Sequence, residues 1–289
     1  MLPTGNRITL HGDELAYTDL GAGPPVVLVH GLMSSSKTWT AQVERLAGRH
    51  RVVSPDLFGH GESAKPVGDY SLSAHAASLR DLFDAIGVDS GTLVGHSLGG
   101  GIVLQFAYLF PDRVDAIVLV SSGGLGRELS PLLRAATLPG SELVLPVLAS
   151  GWLRNVGDVA LRVWAKAGLP AISPSSDEAW QSFSSLADGE TRRAFLATSR
   201  SVIDAGGQTV SAQNRLAGIA SRPSMLIWGK RDRMIPAEHV EAASRELPAT
   251  RVELFDRSGH FPHLDEPDRF ARVLDEFIIG SAGQGADDR

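Results

Sequence analysis

The chain has 289 residues, 43% of them hydrophobic, a formal net charge of −6 and no cysteine. It can bury a large core, while mild acidity without a basic cluster argues against nucleic acid or an anionic membrane surface as its main partner, and a disulfide framework or thiol chemistry is excluded. The first seven residues carry no apolar signal core and no stretch approaches the roughly 20 apolar residues of a membrane span, so a cytoplasmic protein is expected.

Residues 8–10 and 15–17 flank His11-Gly12-Asp13-Glu14 and read as a β-hairpin at a sheet edge. The run at 26–29, Val-Val-Leu-Val, is continuous rather than alternating, as in a parallel strand covered on both faces. A helix over 39–47 and a strand over 51–56 follow. Residues 72–86 place Leu79, Leu82, Phe83 and Ile86 on one helical side. A buried strand at 92–94, a helix at 102–110 and a strand at 116–120 complete a run of βαβ units. Such units predict an α/β fold with a doubly wound, mostly parallel sheet.

The alternation breaks after Ser121-Ser122-Gly123-Gly124. Residues 125–206 offer helical stretches at 132–137, 143–152, 156–167 and, with interruptions, 178–205, but no clear strand. A structureless loop of that length is improbable, so the segment is expected to be an inserted helical cap. The alternation resumes with a strand at 224–228, a helix at 237–247, a strand at 251–255 and a helix at 267–279. The core is then 1–124 with 207–279, the cap 125–206, and the Gly-, Ala- and Asp-rich tail 280–289 is expected to be disordered. No internal repeat is visible.

Polar residues cluster in loops just past strand ends, where open α/β sheets hold their ligands. Gly95-His96-Ser97-Leu98-Gly99 is a G-x-S-x-G pattern between a buried strand and a helix. A sharp strained turn there lifts a serine hydroxyl above the sheet, and glycines avoid collision with the crossing strand and helix. Ser97 is the candidate nucleophile, and the Leu98 N–H a candidate oxyanion donor. His30-Gly31-Leu32 reads as an oxyanion loop whose Leu32 N–H is the second donor; the plainer alternative is a βα turn with His30 bonding its own backbone.

Asp232, in Trp228-Gly229-Lys230-Arg231-Asp232-Arg233, is placed to orient a histidine, unless it only caps the helix near Pro236. His260, in Ser258-Gly259-His260-Phe261-Pro262-His263, is the candidate general base. His263 is the runner-up, expected to turn toward the cap or solvent. His96, beside the serine on a tight turn, points elsewhere. Asp256 and Asp265 are the alternative acids; Asp256 comes early in its loop and Asp265 stands at the start of the last helix. Asp56-Leu57-Phe58-Gly59-His60-Gly61-Glu62-Ser63 reads as a buttressing loop with His60 packed rather than catalytic.

Ser97, Asp232 and His260 follow the order Ser…Asp…His. With His30-Gly31 and the 56–63 loop, they make the chain resemble a capped α/β-hydrolase from about residue 7 to 279. It is most similar to bacterial carboxylesterases and to the carbon–carbon bond hydrolases of aromatic degradation. The resemblance implies a serine hydrolase that cleaves a carboxylic ester, or a related acyl bond, of a small apolar substrate through an acyl-enzyme. Dehalogenases and epoxide hydrolases carry Asp where Ser97 stands. Carbon–carbon hydrolases usually carry Asn before the serine and Trp after the histidine, where this chain has His96 and Phe261. Cofactor-free perhydrolases often have an aromatic at the position of Leu32. A non-catalytic ligand receptor on the same fold is the reading of another class. No cofactor or metal is implied, the partner is a small molecule, and no particular oligomer is specified.

Overall fold

In the computed structural model the described residues are 5–150, 173–247 and 249–284. The sheet has eight strands: β1 (Asn6–Leu10), β2 (Asp13–Leu20), β3 (Pro25–Val29), β4 (Arg51–Pro55), β5 (Gly91–His96), β6 (Val114–Val120), β9 (Ser224–Gly229) and β10 (Arg251–Phe255). Their order is β1-β2-β4-β3-β5-β6-β9-β10. β2 pairs antiparallel with both β1 and β4, and the remaining pairs are parallel. The chain thus forms a mostly parallel α/β sheet.

Strand alternation sends neighbouring residues to opposite faces. Val27, Leu93, Ile117 and Leu226 face one core with α2 (Leu72–Ile86) and α3 (Leu98–Leu109). Val26, Val94, Val118 and Ile227 face the other, with α1 (Thr40–Leu46) and the C-terminal helix. Burial on both faces explains why these strands read as unbroken apolar runs. α2 starts where the Ser71 side chain accepts from the Ala74 N–H and stops at Gly87, whose φ of 65° is left-handed.

Between β6 and β9 lie α4 (Pro131–Thr137), α5 (Ser141–Leu148), α6 (Pro174–Ser185) and α7 (Gly189–Val202). The expected helix over 156–167, which holds Trp164, lies outside the described residues. A small antiparallel ribbon, β7 (Ile203–Asp204) with β8 (Gly207–Gln208), closes the segment. It is too short for a period-2 pattern, and the sequence over 125–206 offers no clear strand. After β9 come α8 (His239–Glu246), β10, the single turn α9 (Pro262–Asp265) and α10 (Pro267–Gln284).

Several boundaries differ from expectation, and two have a clear physical reason. α3 begins at Leu98 rather than near 102, because Gly99, Gly100 and Gly101 read as turn while packing against β3 and the loop after β6 makes them helix. α10 continues through Gln284, five residues past the expected end at 279; residues 285–289 lie outside the described set. The apolar positions 270, 274, 277 and 278 carry that helix along the sheet, and its last turns follow by propagation. Among the described residues no helix is long and apolar enough to cross a membrane.

Candidate active site

β5 runs through Gly95 and His96 and hands the chain to α3 at Ser97. Ser97 holds φ 53° and ψ −117°, a conformation that residues with side chains rarely adopt. The neighbouring glycines are steric necessities. A Cβ at Gly95 would lie 2.4 Å from the Gly99 carbonyl oxygen, and one at Gly99 would lie 2.4 Å from that of Val29. The turn is pinned by the Ser97 N–H donating to Val120 O at 3.0 Å and by Ser97 O accepting from Gly100 N at 3.0 Å and Gly123 N at 2.8 Å. Strain of this kind costs about 1–3 kcal/mol and persists only where the surroundings enforce it.

Asp232 and His260 meet across the ends of β9 and β10. Asp232 Oδ2 lies 2.8 Å from His260 Nδ1. Asp232 Oδ1 accepts instead from the Met234 and Ile235 N–H groups, at 2.8 and 3.0 Å. One oxygen thus organises the loop and the other faces the histidine; Asp232 caps no helix, since the next one starts at His239 with Glu238 before it. The carboxylate can only accept from a neutral imidazole, so Nδ1 carries the proton and Nε2 presents a lone pair. Asp256 is exposed and pairs with Lys230 at 2.6 Å. Asp265 accepts from the Gly259 N–H at 3.0 Å and from the Ser175 hydroxyl. Neither reaches His260 Nδ1.

Ser97 and His260 line one cavity of about 720 Å³, partly open to solvent. Among the described residues no hydrogen bond joins the Ser97 hydroxyl to His260. The rest of the cavity wall is mostly apolar, with Leu32, Leu72, Leu98, Leu129, Leu133 and Ile235 on it beside the polar Ser34, His96 and Gln208. No Lys, Arg, Asp or Glu lines it among the described residues. No cluster of three or more metal-binding side chains occurs among them either.

Leu98 is the first residue of α3, so its N–H has no carbonyl one turn back in the helix. The Leu32 N–H makes no hydrogen bond among the described residues. Its loop lies against the elbow: a Cβ at Gly31 would sit 3.1 Å from Ser97 Cβ. His30 holds the loop there, Nδ1 donating to the Gly31 carbonyl at 2.8 Å and Nε2 accepting from the Leu57 N–H at 3.0 Å. Full burial pushes the His30 imidazole below its ordinary pKa and keeps it neutral. Asp56, in the loop that carries Leu57, accepts from the Ser36 and Glu62 N–H groups at 2.6 and 2.7 Å. His60 is buried beside His30, ring centroids 5.3 Å apart.

Two histidines differ from their sequence reading or exceed it. His263 turns neither toward the cap nor toward solvent: it is fully buried, its ring stacked on Trp39 with centroids 4.3 Å apart. Its Nε2 lies 3.0 Å from the Thr38 hydroxyl, and its carbonyl accepts from Gln42 Nε2 at 2.8 Å. The single turn α9 directs it inward, and Pro262 at the start of that turn gave the sequence no sign of direction. Burial, with His260 nearby, pushes its pKa down to about 3. His96 lines the same cavity as Ser97, and its Nε2 lies 2.8 Å from the carbonyl oxygen of His260. Since a carbonyl only accepts, Nε2 is protonated and the buried Nδ1 is a bare acceptor without a partner. Burial and the adjacent His260 and His263 hold His96 well below the ordinary imidazole range.

α6 touches both loops of the site. Glu178 accepts from the Ser34 hydroxyl at 2.5 Å, two residues past Leu32, and Ser175 donates to Asp265. Burial raises the Glu178 pKa. No sequence spacing linked these pairs, because their partners lie far apart in the chain.

The chain matches the family described as alpha/beta hydrolase fold over residues 24–267. It is 36% identical over 277 residues to an uncharacterized protein of Mycobacterium tuberculosis, covering 96% of this chain and 81% of that one. It is 28% identical over 284 residues to a 2-hydroxy-6-oxo-2,4-heptadienoate hydrolase of Pseudomonas putida, covering 95% and 96%. Among solved structures, a thermophilic esterase from Thermogutta terrifontis superposes with a TM-score of 0.73 at 23% identity, covering 96% and 98%, a likeness of fold. The family match spans most of the sheet and both loops that carry Asp232 and His260, and the chain belongs to the α/β-hydrolase fold family.

Proposed function

We propose that this hydrolase is a serine carboxylesterase that cleaves uncharged, apolar acyl esters through an acyl-enzyme. The observation that carries this reading is the 2.8 Å contact between Asp232 Oδ2 and His260 Nδ1, beside a cavity that also holds the strained Ser97. Ser97 Oγ attacks the ester carbonyl while His260 Nε2 takes its proton. Asp232 keeps the imidazole in the required tautomer and stabilises the imidazolium. The Leu32 and Leu98 N–H groups receive the oxyanion; such a donor is worth about 3 kcal/mol of barrier. The tetrahedral intermediate collapses, and His260 gives its proton to the leaving alcohol. Water, activated by His260, then attacks the acyl-Ser97 carbonyl and releases the acid.

Carbon–carbon cleavage is the competing reading, favoured by the Pseudomonas putida relative. That relative is named for a dienoate, an anionic substrate. A buried anion needs a cation or several donors. The described cavity wall offers neither Lys nor Arg, and its Ser34 and Gln208 donors are engaged by Glu178 and the Glu128 carbonyl, which favours neutral esters. Residues 125–206 are read as the cap over the cavity, with Leu129, Leu133, Val202 and Ile203 supplying its inner wall.

The test compares p-nitrophenyl butyrate with a vinylogous dienoate diketone. The ester should turn over with kcat/KM at least about 10⁴ M⁻¹s⁻¹, the lower range for enzymes on accepted substrates, and the dienoate far more slowly. Efficient dienoate cleavage with negligible ester turnover would replace this reading with the carbon–carbon one.

A further inference from the structure

Residues 31–34 make a tight turn, closed by the Ser34 N–H donating to the Gly31 carbonyl at 3.3 Å. Leu32 is the second residue of that turn, so the closing bond does not use its N–H. The direction of this N–H therefore depends on the turn keeping its shape. Met33, the third residue, holds φ 61°. A positive φ at that position suits glycine or asparagine, and another side chain held there costs on the order of 1–3 kcal/mol. The turn does not keep this shape by its own preference, so its surroundings enforce it.

Those surroundings come from the helices between β6 and β9. Leu32 and Met33 pack against an apolar cluster of Leu145, Leu186, Phe195 and Leu196. Such packing is non-directional and does not by itself fix an orientation. The directional tie is at Ser34, which is buried and donates its hydroxyl to Glu178 Oε1 at 2.5 Å, a separation typical of a hydroxyl bound to a carboxylate. Glu178 is half-buried on α6. Ser34 lines the cavity that holds Ser97 and Glu178 does not, so Glu178 acts through the turn rather than on the substrate.

We infer that Glu178 is a positioning residue: through Ser34 it holds the strained 31–34 turn, and with it the direction of the Leu32 N–H toward the oxyanion. The inference rests on the ester reading and adds a condition to it. The oxyanion site is complete only while α6 is seated on the turn.

The experiment compares wild type, Glu178→Ala, Glu178→Gln and Ser34→Ala, with thermal unfolding of each. It measures kcat and KM on p-nitrophenyl butyrate, the pH–rate profile, and Ki for a trifluoromethyl ketone. In Glu178→Ala kcat should fall at least about tenfold with KM within about threefold, a fraction of the roughly 10²–10³ that a whole oxyanion donor is worth. Ki for the ketone, whose adduct with Ser97 carries an oxyanion, should rise by a similar factor. The pH–rate profile should keep its position, because it reports the base and the base is untouched. Glu178→Gln, whose amide oxygen can accept the same hydrogen bond, should recover most of the loss. Ser34→Ala should match Glu178→Ala in kcat, and it leaves α6 unaltered, so the test survives a folding defect in the glutamate variant. Undiminished kcat in the folded variants, a loss confined to KM, a displaced pH profile, or no recovery in Glu178→Gln overturns the positioning role and leaves the ester reading standing. A wild type that cleaves no ester overturns both.

Discussion

His96 Nε2 donates to the main-chain carbonyl of His260 at 2.8 Å, so the residue beside the elbow serine holds the loop of the proposed base. The bond joins the end of β5 to the loop after β10, which are not neighbours in the sheet. It fixes the height of His260 above Ser97 without touching the reacting atoms, which makes His96 a positioning residue. His96→Ala should lower kcat by up to about 10²-fold through misplacement of the base, with KM within about twofold. His96→Asn, which keeps an N–H donor, should recover part of the loss. Steady-state kinetics on p-nitrophenyl butyrate decide it; a change confined to KM would remove the positioning role.

The division of labour within Asp232 gives a second prediction. In Asp232→Asn the carboxamide oxygen can still accept from the Met234 and Ile235 N–H groups, so the loop should keep its shape. The amide nitrogen then faces His260 Nδ1 as a donor and forces the wrong tautomer. kcat should fall on the order of 10⁴-fold with little change in thermal stability. Unchanged kcat would reassign the acid.

His263 tests stability rather than turnover. Replacing it with Ala removes a ring stacked on Trp39 and a buried partner of Thr38, and should cost about 2–4 kcal/mol in denaturant unfolding. A loss below about 0.5 kcal/mol would contradict its place in the core.

Acid stability follows from buried histidines, His263 and His75 of α2 among them. His263 is held near pKa 3 and His75 near 4 by burial, against 6.5 in the unfolded chain. Between those values the unfolded state binds protons that the folded state does not. Stability is therefore full above about pH 6.5 and falls as pH drops toward 3, by up to about 1.4 kcal/mol per pH unit for each such histidine. Denaturant unfolding across pH 4–7 should show this slope, and His263→Phe should make it shallower while the other buried histidines keep part of it. A flat profile in the wild type would contradict the buried neutral state.

Much of this architecture is legible in the sequence because both-face burial writes itself as runs such as Val26-Val27-Leu28-Val29. The elbow is legible because only glycine clears the contacts at 95 and 99. The start of α3 is not, since a glycine triplet advertises a turn until β3 and the loop after β6 press against it. The direction of His263 is not, because it depends on the single turn α9. The bond from His96 to His260 spans 164 residues, and no local pattern encodes such a distance.

The central claim is that Ser97 is the acylated nucleophile. The most direct measurement is reaction of the protein with a fluorophosphonate, followed by peptide mass spectrometry to locate the adduct. One adduct per chain is expected, on Ser97, with ester turnover lost in step with labelling and no adduct in Ser97→Ala. An adduct on another residue, or full turnover after Ser97 is modified, would contradict it.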